Sequence, residues 1–168
     1  MKRITTHTLL RMKGNEEKIV CLTAYDYVFA SLFDEIGVEL ILVGDSVGMV
    51  YAGHQTTLPV TMDEMIYHTK AVRRGVHRAL LIADMPFGSF QINPEETIVN
   101  AIRFLKEGGA EGVKIEGGKP MIPTIEKLTS VGIPVMGHLG LTPQSVHQFG
   151  GFRVQGKTEE KAKAIRED

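Results

Sequence analysis

The chain has 168 residues, 43% hydrophobic and 23% charged, so one domain with a packed core is expected. Lys plus Arg number 19 and Asp plus Glu 20, a net charge of −1 with neutral His, which gives no reason to invoke nucleic acid or an anionic membrane surface. No apolar run approaches the ~20 residues that span a bilayer, the N-terminus lacks a signal-like core, and the single cysteine has no intrachain partner, so a cytoplasmic protein with a buried thiol at Cys21 is expected.

Residues 6–13 read as a short helix carrying Leu9, Leu10 and Met12, with Gly14 as its C-cap. It precedes every strand and is expected to lie across one end of the fold. Residues 18–24 (KIVCLTA) form the first predicted strand. Asp26 caps the next helix, whose apolar stripe is Phe29, Leu32, Phe33 and Ile36, and Gly37 ends it. The second strand is the unbroken run Leu40-Ile41-Leu42-Val43, the pattern of a strand covered on both faces. It delivers Gly44, Asp45 and Ser46 at its end. The loop over residues 48–59 is long for a compact α/β unit, and such loops are often functional.

Thr61 and Glu64 make a capping box that opens a helix to about Arg74, closed by Gly75. The third strand, residues 79–83, runs into Asp84. Asn93, Pro94 and Glu96 suit the N-cap, N1 and N3 positions of a helix with Ile98, Ala101, Ile102 and Leu105 inward, stopped by Gly108-Gly109. In the fourth strand, residues 112–116, alternation puts Lys114 and Glu116 on one face and Val113 and Ile115 on the other. A charged pair against a helix layer is costly to bury, so Lys114 and Glu116 are expected to face the mouth of the fold. A helix over residues 120–131 turns Met121, Ile122, Ile125 and Leu128 inward. The fifth strand, residues 133–137, runs into His138. Thr142-Pro143 begins a short helix broken at Gly150-Gly151, and Thr158 opens the last one.

Alternating strands and helices imply a parallel sheet. About five βα units are present, whereas a closed barrel needs eight, so an open doubly wound sheet and the front part of a barrel both fit. An open sheet would usually carry a Gly-rich phosphate turn after its first strand. Thr23-Ala24-Tyr25-Asp26 stands there instead, which disfavours a nucleotide-binding module. In barrels the chemistry sits at C-terminal strand ends, where Asp45, Asp84, Glu116 and His138 recur. Two acids at matching strand ends suit a divalent metal or, more plainly, cap turns. Lys114 and Glu116 fit a substrate site or an internal salt bridge, and Ser46 fits a turn or a ligand contact. His138 fits a substrate contact or a core histidine. His54, His68, His77 and His147 lack ligand spacing and read as surface or structural residues. The eight methionines read as core filler.

Four motifs, Val43-Gly44-Asp45-Ser46-Val47-Gly48, Ala83-Asp84-Met85-Pro86-Phe87-Gly88-Ser89, Val113-Lys114-Ile115-Glu116-Gly117-Gly118 and Gly137-His138-Leu139-Gly140-Leu141-Thr142-Pro143-Gln144-Ser145, resemble those of the ketopantoate hydroxymethyltransferase family, in order and with the expected spacing. The resemblance runs from about Thr5 to the last residue. It implies an α/β fold of the (β/α)8 TIM type, of which residues 1–168 would supply about the first five βα units as one C-terminally incomplete domain. It also implies Mg²⁺-dependent transfer of a hydroxymethyl group from 5,10-methylenetetrahydrofolate to the keto acid 3-methyl-2-oxobutanoate, giving 2-dehydropantoate in pantothenate synthesis, by a homo-oligomer.

Carried over by motif, Asp45 and Asp84 would hold the metal with Glu116 completing the site, and Asp45, Ser46, Asp84 and Lys114 would contact the keto acid. The family's general base is a glutamate on a later strand, expected beyond Asp168, so residues 1–168 alone are expected not to turn over. Two other readings stand beside this one. One is a different Mg²⁺-dependent keto-acid enzyme resembling the phosphoenolpyruvate mutase and isocitrate lyase group, and the other is an inactive metal-binding fragment.

Overall fold

The computed structural model describes residues 2–168. Five strands, β1 (Cys21–Thr23), β2 (Leu40–Val43), β3 (Leu80–Asp84), β4 (Gly112–Glu116) and β5 (Val135–His138), form one parallel sheet whose spatial order is the chain order. The register pairs Thr23 with Leu42, Leu42 with Ile82, Asp84 with Lys114 and Glu116 with His138. The connecting helices are α1 (Thr6–Gly14), α2 (Tyr27–Glu35), α3 (Val47–Val50), α4 (Met62–Gly75), α5 (Pro94–Arg103), α6 (Ile122–Ser130), α7 (Val146–Phe149) and α8 (Glu159–Glu167). A π-helical turn, Phe104–Gly108, follows α5, and left-handed Gly109 ends it. The expected caps form: Asp26, Thr61, Asn93 and Thr158 each accept a backbone N–H at their helix starts.

Alternation along the strands sorts the sheet into two faces. Ile41, Val43, Leu81, Ala83, Val113 and Ile115 pack with the helices in the main core. Leu40, Leu42, Leu80, Ile82 and Met136 form a smaller cluster on the inner face with Ile4 and with Leu9 of α1. So α1 does lie across one end of the inner face. An apolar cavity of about 570 Å³ remains between α1 and the lower strands.

Several expectations change. β1 is shorter than residues 18–24, because it is an edge strand and the Val20 N–H goes to the Glu39 carboxylate at 3.0 Å instead of to a ladder. Cys21 is exposed, not buried, because it lies on the open inner face. In α2 the predicted stripe is rotated: Phe29, Leu32 and Ile36 are exposed, only Phe33 packs on the core, and Ala30 and Asp34 are buried. Two contacts set that rotation. Ala30 crosses α4 at Gly75, where an added Cβ would lie 2.7 Å from Tyr27 O and 2.8 Å from Ser31 N. Asp34 accepts the backbone N–H groups of His77, Arg78 and Ala79 at 2.7–3.0 Å, tying α2 to the start of β3. Burial opposes its ionisation, but these three donors win and hold its carboxyl below the usual range. Ile102 and Ile122 also face outward, while Thr97, Ala101 and Phe104 take the inward face of α5 and its π turn.

Candidate active site

β2 ends at Val43, and Gly44 after it has no room for a side chain: a Cβ there would lie 2.6 Å from Ser46 Oγ and 3.5 Å from Asp84 Oδ2. The bare backbone lets the end of β3 close on the end of β2, so the Asp45 N–H donates to Asp84 Oδ2 at 3.1 Å. β4 brings Lys114 Nζ to 2.9 Å from Asp84 Oδ1, as the alternation along that strand predicts. Asp45, Asp84, Lys114 and Glu116 are all buried. They line one cavity of about 380 Å³ with Ser46 and His138. Its apolar walls are Leu42 and Met136.

Ser46 sits at the N-cap position of α3 without capping it. Its Oγ lies 2.9 Å from the Tyr25 hydroxyl instead, which fixes it at the cavity edge. His138 is drawn into the site: its Nδ1 lies 3.2 Å from Glu116 Oε1 and 3.3 Å from Lys114 Nζ. In one neutral tautomer Nδ1 donates to Glu116 and in the other it accepts from Lys114. His68 is structural, bonded through Nδ1 to Tyr25 O at 2.7 Å and set edge-on to Tyr51 and Tyr67. His54, His77 and His147 are exposed.

Gln144 carries no signal as a single residue, yet it joins the acids. Its Nε2 donates to Asp45 Oδ2 and to Met85 O, both at 2.9 Å, and its backbone N–H donates to Glu116 Oε2 at 3.0 Å. The clues available in the sequence were its place just past the end of β5 and its membership of the Gly137–Ser145 motif, neither of which assigns it a role.

Burial pushes the Asp84 carboxyl up to about 6, with Lys114 opposing and Asp45 adding to the shift. Burial also raises Asp45, against the hydrogen bond from Gln144. Two buried acids thus share a single lysine. Asp84 Oδ1, apart from that ion pair, receives no hydrogen bond. A buried pair of hard oxygen ligands in which two carboxylates face one lysine fits a divalent cation such as Mg²⁺. Asp45 and Asp84 stand together for that role. Glu116 is held to its own partners, Gln144 and His138, and no three His, Cys, Asp or Glu side chains converge as a ready-made metal group among the described residues.

The family model for ketopantoate hydroxymethyltransferase matches residues 3–168. Among curated proteins, the chain is 56% identical to the 3-methyl-2-oxobutanoate hydroxymethyltransferase of Syntrophus aciditrophicus, over 99% of this chain and 61% of the relative. It is 58% identical to the protein of the same name from Magnetococcus marinus, over 99% of this chain and 62% of the relative. It thus spans about 61% of the length of such relatives. Among solved structures it is similar to phosphonopyruvate hydrolase in complex with oxalate and Mg²⁺, with a TM-score of 0.64 at 14% identity, covering 98% of this chain and 69% of that one. It is also similar to 2,3-dimethylmalate lyase, a PEP mutase/isocitrate lyase superfamily member, with a TM-score of 0.62 at 14% identity, covering 95% of this chain and 57% of that one. These structural likenesses show the fold, five βα units of a (β/α)8-type barrel. No helix among the described residues is long and apolar enough to cross a membrane.

Proposed function

The chain belongs to the ketopantoate hydroxymethyltransferase family, and we propose that it forms the metal- and keto-acid-binding part of an enzyme that transfers a hydroxymethyl group from 5,10-methylenetetrahydrofolate to 3-methyl-2-oxobutanoate, giving 2-dehydropantoate for pantothenate synthesis. The observation that carries this reading is the buried Asp45–Asp84 pair, with Lys114 as its cation, at the C-terminal ends of neighbouring parallel strands.

Asp45 and Asp84 would hold Mg²⁺, while Glu116, held by Gln144 and His138, stands beside the site; bound there, the ion would act as a Lewis acid on the keto oxygen. Lys114 faces the cavity and supplies positive charge for the substrate carboxylate. Ser46, steadied by Tyr25, offers a hydroxyl to the keto acid. Leu42 and Met136 form an apolar wall that suits the isopropyl group and keeps water from C3. Gln144 orients Asp45 and Glu116 together. Each acid of the site is already engaged: Asp84 with Lys114, Asp45 with Gln144, and Glu116 with Gln144 and His138. None of them is therefore assigned as the base that takes the C3 proton. Placement in the cytoplasm and in a homo-oligomer belongs to the same proposal, and the exposed Val28 and Phe29 of α2 and Ile36 at its C-cap support self-association.

The test is calorimetric titration of the purified chain with 3-methyl-2-oxobutanoate, with and without Mg²⁺, paired with an assay for folate-dependent 2-dehydropantoate. Metal-dependent keto-acid binding without turnover is expected. Absence of metal-dependent binding overturns the assignment of the site, and turnover by residues 1–168 overturns the reading that they lack the base, a group that contributes about 10²–10⁴-fold.

A further inference from the structure

The loop between α3 and α4 is exposed from Tyr51 to Gln55 and then turns inward, leaving Thr57 1% and Val60 5% exposed. Gly48 makes that return possible. An added Cβ at Gly48 would run into the Val60 side chain and would lie 3.7 Å from Thr56 O. The His54 N–H donates to Gly48 O at 2.8 Å and the Val60 N–H to Thr57 O at 3.2 Å, so the loop is pinned on both sides of Thr57. Gly48 stands three residues past Asp45, and its own N–H donates to Asp45 O at 3.0 Å. The loop therefore carries Thr57 to the Asp45 side of the site.

Among the described residues only two buried side-chain polar atoms lack a hydrogen-bond partner, Asp84 Oδ1 and Thr57 Oγ1. The first faces Lys114. The second stands beside the Asp45 carboxyl: burial raises that carboxyl, and Thr57 is among the groups that pull it back. The hydroxyl is thus near an acceptor but misses hydrogen-bond geometry with it, and a misaligned contact delivers little of a bond's strength. Buried hydroxyls are ordinarily paired, so one left unpaired at the edge of a site calls for a cause within that site.

Asp45 must be charged to hold a cation. A donor binds a charged carboxylate about twice as strongly as a neutral one. An ion on Asp45 and a bond from Thr57 therefore favour the same form of the carboxylate, and each strengthens the other by the same factor. Resting on the reading of Asp45 and Asp84 as Mg²⁺ ligands, we propose that Thr57 is a positioning residue of the metal site, its hydroxyl donating to Asp45 when the ion is bound and left unpaired when it is not. The metal-free fold bears the cost of the hydroxyl, and metal affinity takes the gain. Substitution moves the two in opposite directions. A threonine that only packs would behave differently: its loss would lower stability and leave the ion unaffected.

The experiment compares the purified chain with its Thr57→Val and Thr57→Ser variants, by thermal melting in EDTA and by calorimetric titration with Mg²⁺. Valine has the shape of threonine without the hydroxyl. Thr57→Val should melt at or above the wild-type temperature in EDTA, because no formed bond is lost. Its Mg²⁺ affinity should fall about tenfold, at the lower end of what partners of metal ligands contribute, and the rise in Tm on adding Mg²⁺ should shrink accordingly. Thr57→Ser keeps the hydroxyl and should bind Mg²⁺ like wild type, even though losing a buried methyl lowers its Tm.

A Thr57→Val melt clearly below wild type in EDTA would show a hydroxyl already paired without the ion, and overturns the proposal. So does an unchanged Mg²⁺ affinity in that variant, or an affinity lost equally in Thr57→Ser. Asp45→Asn separates this inference from the reading beneath it. If wild type binds Mg²⁺ and Asp45→Asn does not, the metal site stands and the Thr57 variants alone decide the role of Thr57. If wild type takes up no Mg²⁺, or Asp45→Asn binds it as tightly, the metal reading fails and the role of Thr57 with it.

Discussion

Asp34 offers a direct test of what holds α2 against β3. Asp34→Ala removes the acceptor for three backbone donors at the start of β3. The Ala79 residue is fully buried, so its N–H finds no water and carries the penalty of an orphaned donor, about 1–3 kcal/mol. His77 is exposed and Arg78 half-buried, so their N–H groups rehydrate, at a net loss of roughly 0.5–1.5 kcal/mol each. The sum is about 2–6 kcal/mol, which for a chain of this size lowers Tm by roughly 2–4 °C per kcal/mol. Asp34→Asn keeps one oxygen but turns an amide donor toward backbone donors, and should cost about half as much or more.

The pH dependence has a definite sign. The folded-state value for Asp34 is depressed, so its contribution is fully present above the unfolded value near ~3.9 and is lost as pH falls through the lower folded value. Urea denaturation of wild type and Asp34→Asn should therefore show a constant gap at neutral pH that closes only in acid below about pH 4. A loss under about 1 kcal/mol for Asp34→Ala, well short of the orphaned-donor penalty, or a gap that closes near neutrality, would refute the reasoning.

Three further outcomes are expected. Lys114→Ala should weaken 3-methyl-2-oxobutanoate binding by the 1.5–3 kcal/mol of a charge-assisted contact, with a smaller loss in thermal stability; equal losses, or unchanged binding by calorimetry, would count against its substrate role. Gln144→Ala should reduce Mg²⁺ affinity about 10–100-fold by freeing Asp45 and Glu116 to reorient, and an unchanged Mg²⁺ titration would reduce Gln144 to a packing residue. Gly75→Ala gains up to ~1 kcal/mol of helix propensity but drives a methyl into the α2 backbone, costing ~1–3 kcal/mol. A net loss in Tm is expected, and a more stable variant would show that the α2–α4 crossing is looser than the distances imply.

The positions of Asp45, Asp84, Lys114 and Glu116 were legible because strand-end chemistry is local: an aliphatic run stops, and the next polar residue stands at the mouth. The inner placement of Lys114 and Glu116 followed from alternation together with the cost of burying a charged pair against the helices. Gln144 was not legible, since its partners Asp45 and Met85 lie 99 and 59 positions away and a glutamine after Thr-Pro reads as one more helix residue. The α2 stripe failed for a related reason. Its apolar residues counted as inward, but the close crossing at Gly75 admits only Ala30, and the backbone donors of β3 require Asp34. Tertiary demands overrode the apolar count. Cys21 missed because an apolar neighbourhood along the chain says nothing about whether the inner face beside it is covered.

The agreement between spatial and chain order of the strands bears on how the molecule is made. On the ribosome, Cys21 waits only for Leu40, Leu40 for Leu80, Ile82 for Gly112 and Val113 for Val135. At translation speeds of about 5–20 residues per second, each pairing partner emerges within roughly 1–8 s of the last. The nascent sheet grows at one edge, always the newest strand, which stays close to the exit tunnel. The other edge, β1, is open from the moment it pairs with β2. It is three residues long, and a strand that short is a poor template for another chain's strand. The side of the sheet exposed longest during synthesis is therefore the one least able to recruit a stranger.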